Sequence, residues 1–140
     1  MKIKMTSVVA LSEMMKEYTQ KFSEYLARKD YDSAIPLGLQ TLENLLKIAR
    51  EEIVGMLNDP ELVKVGESIL KNYENIISYV KGSLSTLKYV SPIYAAGEKE
   101  QLVGLIASSV SEIFNFVMGA LLIVASLQGR QQAEEPFGVV

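Results

Sequence analysis

The sequence predicts an all-α domain, a mostly antiparallel four-helix bundle, and three observations predict it. Four segments repeat apolar residues at steps of three or four, the spacing that puts them on one helical face. Short polar stretches containing Asp, Ser, Pro or Gly separate those segments. No run alternates with the period of two that a half-buried strand requires. At 140 residues the chain fits one domain. The bundle is expected over residues 1–129, followed by a flexible tail at 130–140.

The first helix is expected from about Ser7 to Arg28, with Leu11, Met15, Tyr18, Phe22 and Tyr25 on its inner face. Asp30, Tyr31, Asp32 and Ser33 make a polar turn. Asp30, Asp32 and Ser33 are each able to cap the second helix. That helix is expected from about Ser33 to Leu57, with Ile35, Leu39, Leu42, Leu46, Ala49, Ile53 and Met56 facing inward. Pro36 is harmless in a first turn if Ser33 caps, and produces a kink if the helix starts earlier. Glu43 and Lys47 are spaced for an i,i+4 ion pair.

Asn58-Asp59-Pro60 is the clearest boundary, with Asp59 as cap and Pro60 at the first helical position. The third helix then carries Leu62, Ile69, Tyr73, Ile76, Val80, Leu84 and Leu87 at near-heptad spacing, is weakened locally by Gly82, and ends at Ser91-Pro92. The fourth is expected to begin near Gly97, with Glu98 and Glu100 in its first turn, and to close at Gly129.

Composition removes several chemistries. There is no Cys, hence no disulfide, thiolate nucleophile or Cys-based zinc or iron–sulfur site. There is no His, the commonest general base and metal ligand. Carboxylates are plentiful (Glu43, Glu51, Glu52, Glu67, Glu74, Glu112). However, di-iron bundles need a Glu-x-x-His motif, and no segment has a metal-loop spacing. Glycines are scattered, with no phosphate loop. No enzyme, cofactor or metal is expected. The net charge of -3 indicates no nucleic-acid surface, without excluding one in an assembly. The charged residues Glu13, Lys16 and Glu17 interrupt any leader-like apolar core, so a cytoplasmic chain is expected.

The fourth segment stands out. From Leu102 to Gln128 its only charged residue is Glu112. The run from Ile113 to Leu127 is shorter than the ~20 residues of a membrane span, so none is expected. Leu102, Ile106, Val110, Ile113, Val117, Leu121 and Val124 suit the bundle core. On the other side Gly104, Ser108, Ser111, Asn115 and Gly119 form a stripe of small residues that lets another helix approach closely. The expectation is an interface on Gly104, Ser108, Ser111, Glu112, Asn115 and Gly119, with a second copy in an isologous dimer or with a partner helix. The alternative is a central helix buried within the monomer by long neighbours. Glu112 is expected to pair with a Lys or Arg of another helix at that interface. The other reading makes it a buried functional acid.

Tyr25-Leu26-Ala27-Arg28-Lys29-Asp30-Tyr31-Asp32-Ser33-Ala34, followed by Gln40-Thr41-Leu42-Glu43-Asn44-Leu45-Leu46-Lys47, resembles the first helical hairpin of HEPN-type proteins and their archaeal PaREP1 relatives. The match covers about a quarter of the chain; tetratricopeptide hairpins are similar over Tyr18, Tyr25 and Ala34. The family's RNase members carry Arg-x4-6-His, which a His-free chain lacks. The resemblance therefore implies a four-helix, often dimeric domain that binds partners or nucleotides without cutting RNA. The expected function is protein–protein association beginning with a homodimer. The alternative is a small helical subunit of a nucleic-acid-associated complex, such as a CRISPR effector, or a viral protein.

Overall fold

A computed structural model describes the backbone of residues 5–54 and 57–139, and the side chains of 8–52, 54, 57–123 and 126. Among these residues there are four α-helices and no strand: α1 (Met5–Ala27), α2 (Tyr31–Ile48), α3 (Pro60–Leu87) and α4 (Pro92–Val139). A π-helical turn (Ala49–Ile53) continues α2. Met56 and the side chains of Ile53 and Val124 lie outside the described residues.

The helix boundaries follow from backbone chemistry. α1 ends in a Schellman turn. The Asp30 N–H donates to the Tyr25 carbonyl (2.8 Å) and the Lys29 N–H to that of Leu26 (3.0 Å), which places Lys29 in the left-handed region at φ 55°. Asp30 at once caps α2, its carboxylate accepting from the Ser33 N–H at 3.2 Å. The helix therefore starts at Tyr31, earlier than a Ser33 cap would set it, and Pro36 lies inside it. Asp59 caps α3 by accepting from the Glu61 N–H at 2.9 Å, with Pro60 at the first position, as the sequence predicts.

The start of α4 is a correction. It begins at Pro92, not Gly97, because the Ser91 hydroxyl accepts from the Tyr94 N–H (3.3 Å) and Pro92 takes a position whose missing N–H costs nothing. Its helical backbone also runs through Gly129 to Val139, across the expected stop and the expected tail.

Cross-helix contacts set the topology. Glu43 meets Lys81 and Arg50 meets Glu74, so α2 and α3 run antiparallel; the tight α1–α2 turn makes that pair antiparallel too. Asp32 meets Lys99 and Gly38 lies against Ile106, so α2 and α4 run parallel. Among the described residues this parallel pair makes the most extensive contact, while α1 and α3 do not approach each other. The section is thus a flattened lozenge, with α2 and α4 on the short diagonal and α1 and α3 on either side. Gly38 makes that approach possible. A β-carbon there would collide with Ile106 Cγ2 and stand 3.4 Å from Phe22 Cε2. Gly66 does the same on a smaller scale for α3, where a β-carbon would fall 2.9 Å from Val54 Cγ2.

The core contains Leu11, Tyr18 and Phe22 of α1, and Ile35, Leu39, Leu42 and Leu45 of α2. From α3 and α4 come Leu70, Ile77, Val80, Ile106, Val110, Ile113, Val117 and Leu121. All six described residues of the predicted α4 core face are buried. The α3 stripe differs from its expected register. Leu62 is 52 % exposed, and the fully or nearly buried positions are Gly66, Leu70, Ile77, Val80 and Leu87. The inner row descends from Gly66 rather than Leu62, because the close approach to Val54 fixes which face of α3 turns inward. Buried Thr41 and Ser109 satisfy their hydroxyls on the carbonyls one turn back, Leu37 and Leu105, each at 2.8 Å.

Candidate functional site

The outward face of α4 carries the residues singled out by sequence. Gly104, Ser108, Ser111, Glu112 and Asn115 are exposed and Gly119 is half-buried. A β-carbon added at Gly104 or Gly119 would meet nothing within 4 Å, so the stripe borders open space. Among the described residues nothing encloses this face of the helix, yet its exposed surface is not uniformly apolar. Leu105, Ala107, Phe114, Phe116 and Met118 flank the stripe and are half-buried against the core. Among the described residues of α4, large apolar side chains emerge at either end of the stripe, at Ile93 and Tyr94 before it and at Leu122 (46 % exposed) and Ile123 (63 %) after it. Starting at Pro92 also makes α4 long and apolar enough over 92–123 to cross a membrane by length and composition. In this fold that segment supplies the inward wall of the core.

Glu112 is exposed, which removes the buried-acid reading for the single chain. Its carboxylate accepts from the Tyr73 hydroxyl at 3.2 Å, pinning α3 to α4. Burial, then the charge and hydrogen bond of Glu112, push the Tyr73 phenol above its ordinary range. Within the described residues Glu112 has no Lys or Arg partner.

Between α2 and α3 lies a groove that residue spacing alone does not reveal. It measures about 400 Å³ and has an apolar floor of Leu46 and Ile77. Glu43, Lys47, Arg50, Glu51 and Glu74 form its rim. Glu43 pairs across the groove with Lys81 (2.9 Å), rather than along its own helix with Lys47. Arg50, on the π-helical turn, is bonded to Glu74, which holds its guanidinium above the usual range. Every carboxylate that crosses the groove is matched by a cation, and among the described residues no three carboxylates converge as a metal site would need. The groove is a stapled helix seam. At the end of α2 the Val54 N–H bonds the Ala49 carbonyl, an i,i+5 step that residue types do not reveal.

The chain matches no protein-family model, and no curated protein or solved structure is significantly similar to it.

Proposed function

We propose that the chain acts by associating with a second copy of itself through the outward face of α4, as a non-enzymatic helical-bundle protein. The carrying observation is the order of sizes along that face. Gly104 and Leu122 stand eighteen residues apart, five turns at about 3.6 residues each, and so project from the same side. Ile113 lies midway between them, and Ser111 and Asn115 flank it equally. A two-fold axis crossing the outward face at the height of Ile113, whose own side chain turns into the core, then places the protruding Leu122 of one copy over the open backbone at Gly104 of the other, and Ser111 opposite Asn115. Such an arrangement is self-complementary, as an isologous interface must be. The HEPN-type resemblance points the same way, since those domains are often dimeric.

A cysteine-free chain permits a direct test. Gly104→Cys and Leu122→Cys proteins, mixed and oxidised, are expected to give the mixed 104–122 cross-link in preference to either self-cross-link. In a parallel pair, equivalent positions would cross-link instead, because Gly104 and Leu122 are about 27 Å apart along the helix. Light scattering on the wild type beside Gly119→Leu reads the assembly itself. Wild type and variant that are both monomeric discard the proposal. A monomer that shifts RNA or DNA in a salt-dependent way would favour a nucleic-acid-associated subunit.

A further inference from the structure

The outward face of α4 continues onto α3. The Tyr73 hydroxyl donates to Glu112 at 3.2 Å, which fixes both the side of α3 that turns to α4 and the level at which the two helices meet. Glu74 and Lys81 bond Arg50 and Glu43, which fixes the side of α3 that turns to α2. Each residue advances about 100° around a helix, so Asn72 lies one step beyond Tyr73, on the side away from Glu74. Because α2 and α4 stand on the short diagonal, this edge of α3 looks out past α4. It faces the same way as the stripe from Gly104 to Gly119.

The edge carries no charge for about six turns. Val65, Ser68, Asn72, Tyr79, Ser83 and Thr86 follow one another along it at steps of three, four or seven. Asn72 is exposed, and two large apolar side chains stand in water on either side of it, Val65 at 56 % and Tyr79 at 60 %. Both are seven residues from Asn72, so the pattern is symmetric about it. Tyr73 is level with Glu112 and the two helices run antiparallel, which makes Asn72 level with Ile113. The sizes along α4 and the spacing along α3 therefore mark one and the same level.

We propose that the second copy seated on α4 also covers this edge of α3. Val65 of each copy then packs against Tyr79 of the other, and Asn72 faces its own counterpart on the two-fold axis. The inference rests on the α4 dimer and names a second pair of helices in it. A two-fold axis that relates two antiparallel α4 helices keeps both α3 helices on one side of that pair and reverses them as well. Seven residues on either side of Asn72 then bring Val65 of one copy level with Tyr79 of the other. Area calls for this extension. Gly, Ser and Asn on α4 hide little apolar surface, whereas specific interfaces begin at roughly 1,200 Å². An uncharged edge offers nothing to the phosphates of a nucleic acid. Between this edge and the α4 stripe, from the level of Val65 to that of Tyr79, the single charge is Glu112, whose carboxylate already holds the Tyr73 hydroxyl. Asn72 on the axis fixes the register as an interior Asn does in a coiled coil, since a slipped pair leaves each amide against an apolar neighbour.

Cross-linking with a short bismaleimide tests this on the cysteine-free chain. Val65→Cys and Tyr79→Cys proteins, mixed, are expected to give the 65–79 link in preference to either self-link, because equivalent positions lie about 21 Å apart along the helices. Asn72→Cys alone is expected to link to itself. The Gly104→Cys and Leu122→Cys pair is run beside them. A 104–122 link without the 65–79 link overturns this inference and leaves the α4 dimer standing; the absence of both removes the two together. Tyr79→Asp is expected to raise the dimer dissociation constant at least about tenfold in sedimentation equilibrium. Its side chain is exposed, so circular dichroism and thermal unfolding of the monomer should match the wild type. An unchanged dissociation constant also overturns the inference.

Discussion

Gly38 of α2 lies against the γ2 methyl of Ile106 in α4 with no room between them for a single additional carbon. Much of the core arrangement depends on that contact, since it brings the two parallel helices together along the short diagonal. Gly38→Ala is expected to cost about 1–3 kcal/mol through overpacking. Gly82→Ala, where a β-carbon meets nothing, is expected to gain about 0.5–1 kcal/mol from reduced unfolded-state freedom. Urea unfolding of the two variants checks both signs. Equal effects would mean that the α2–α4 approach is looser than described.

Lys29 holds the left-handed position of the Schellman turn without being glycine. Its β-carbon is strained against the neighbouring carbonyl. Lys29→Gly is therefore expected to stabilise the fold by about 1 kcal/mol, and Lys29→Val to destabilise it by at least as much. Thermal unfolding separates these outcomes; the gain at Gly is the informative one, since it runs against the usual cost of adding glycine.

Tyr18 is nearly buried, and burial pushes its phenol up to about 12 from an ordinary value of 10.0. The folded chain keeps this proton in a window where the unfolded chain has released it. Stability is thus unaffected below about pH 10 and falls as pH rises toward 12, by on the order of 2 kcal/mol. Denaturation midpoints measured from neutral to strongly alkaline pH should show this decline, and Tyr18→Phe should flatten it. A Tyr18→Phe curve with the wild-type slope would assign the alkaline loss to other groups.

The Arg50–Glu74 pair spans α2 and α3 with both side chains about half exposed, 46 % and 44 %. Solvent screens such a pair, so Arg50→Ala is expected to cost under about 1 kcal/mol, with the difference fading near 1 M salt. A double-mutant cycle with Glu74→Ala measures the coupling. A coupling well above that, insensitive to salt, would show that the π turn depends on the pair.

Much of this fold was legible in residue order. The inner faces of α1, α2 and α4 follow from apolar spacing, because burial has a period that the chain must write down. The Asp59-Pro60 start of α3 follows from capping chemistry. The outward placement of Gly104, Ser108, Ser111 and Asn115 was legible as well, from what stands opposite them on the same helix. The register of α3 was not. Leu62 and Leu70 look alike in sequence, and the choice between their faces depends on Val54 seating against Gly66, a contact between separate elements. Ser91-Pro92 reads equally as the end of one helix and the start of the next, and the Ser91 cap decides it. Glu43 chose Lys81 over Lys47 for the same kind of reason: a partner on another helix is invisible until the helices are placed. Gly38, an isolated glycine amid inward-facing leucines, carried a readable sign of close packing.

The parallel α2–α4 diagonal also bears on how the chain comes to be folded. Gly38 and Ile106 are separated by nearly half the polypeptide, and the intervening chain must loop away and return before the two can meet. While the chain emerges from the ribosome, the α1–α2 hairpin can close early, yet the leucines of α2 stay wet until the last quarter has been synthesised. Assembly is therefore expected to be a late, all-at-once event, with the nascent hairpin needing protection until α4 arrives.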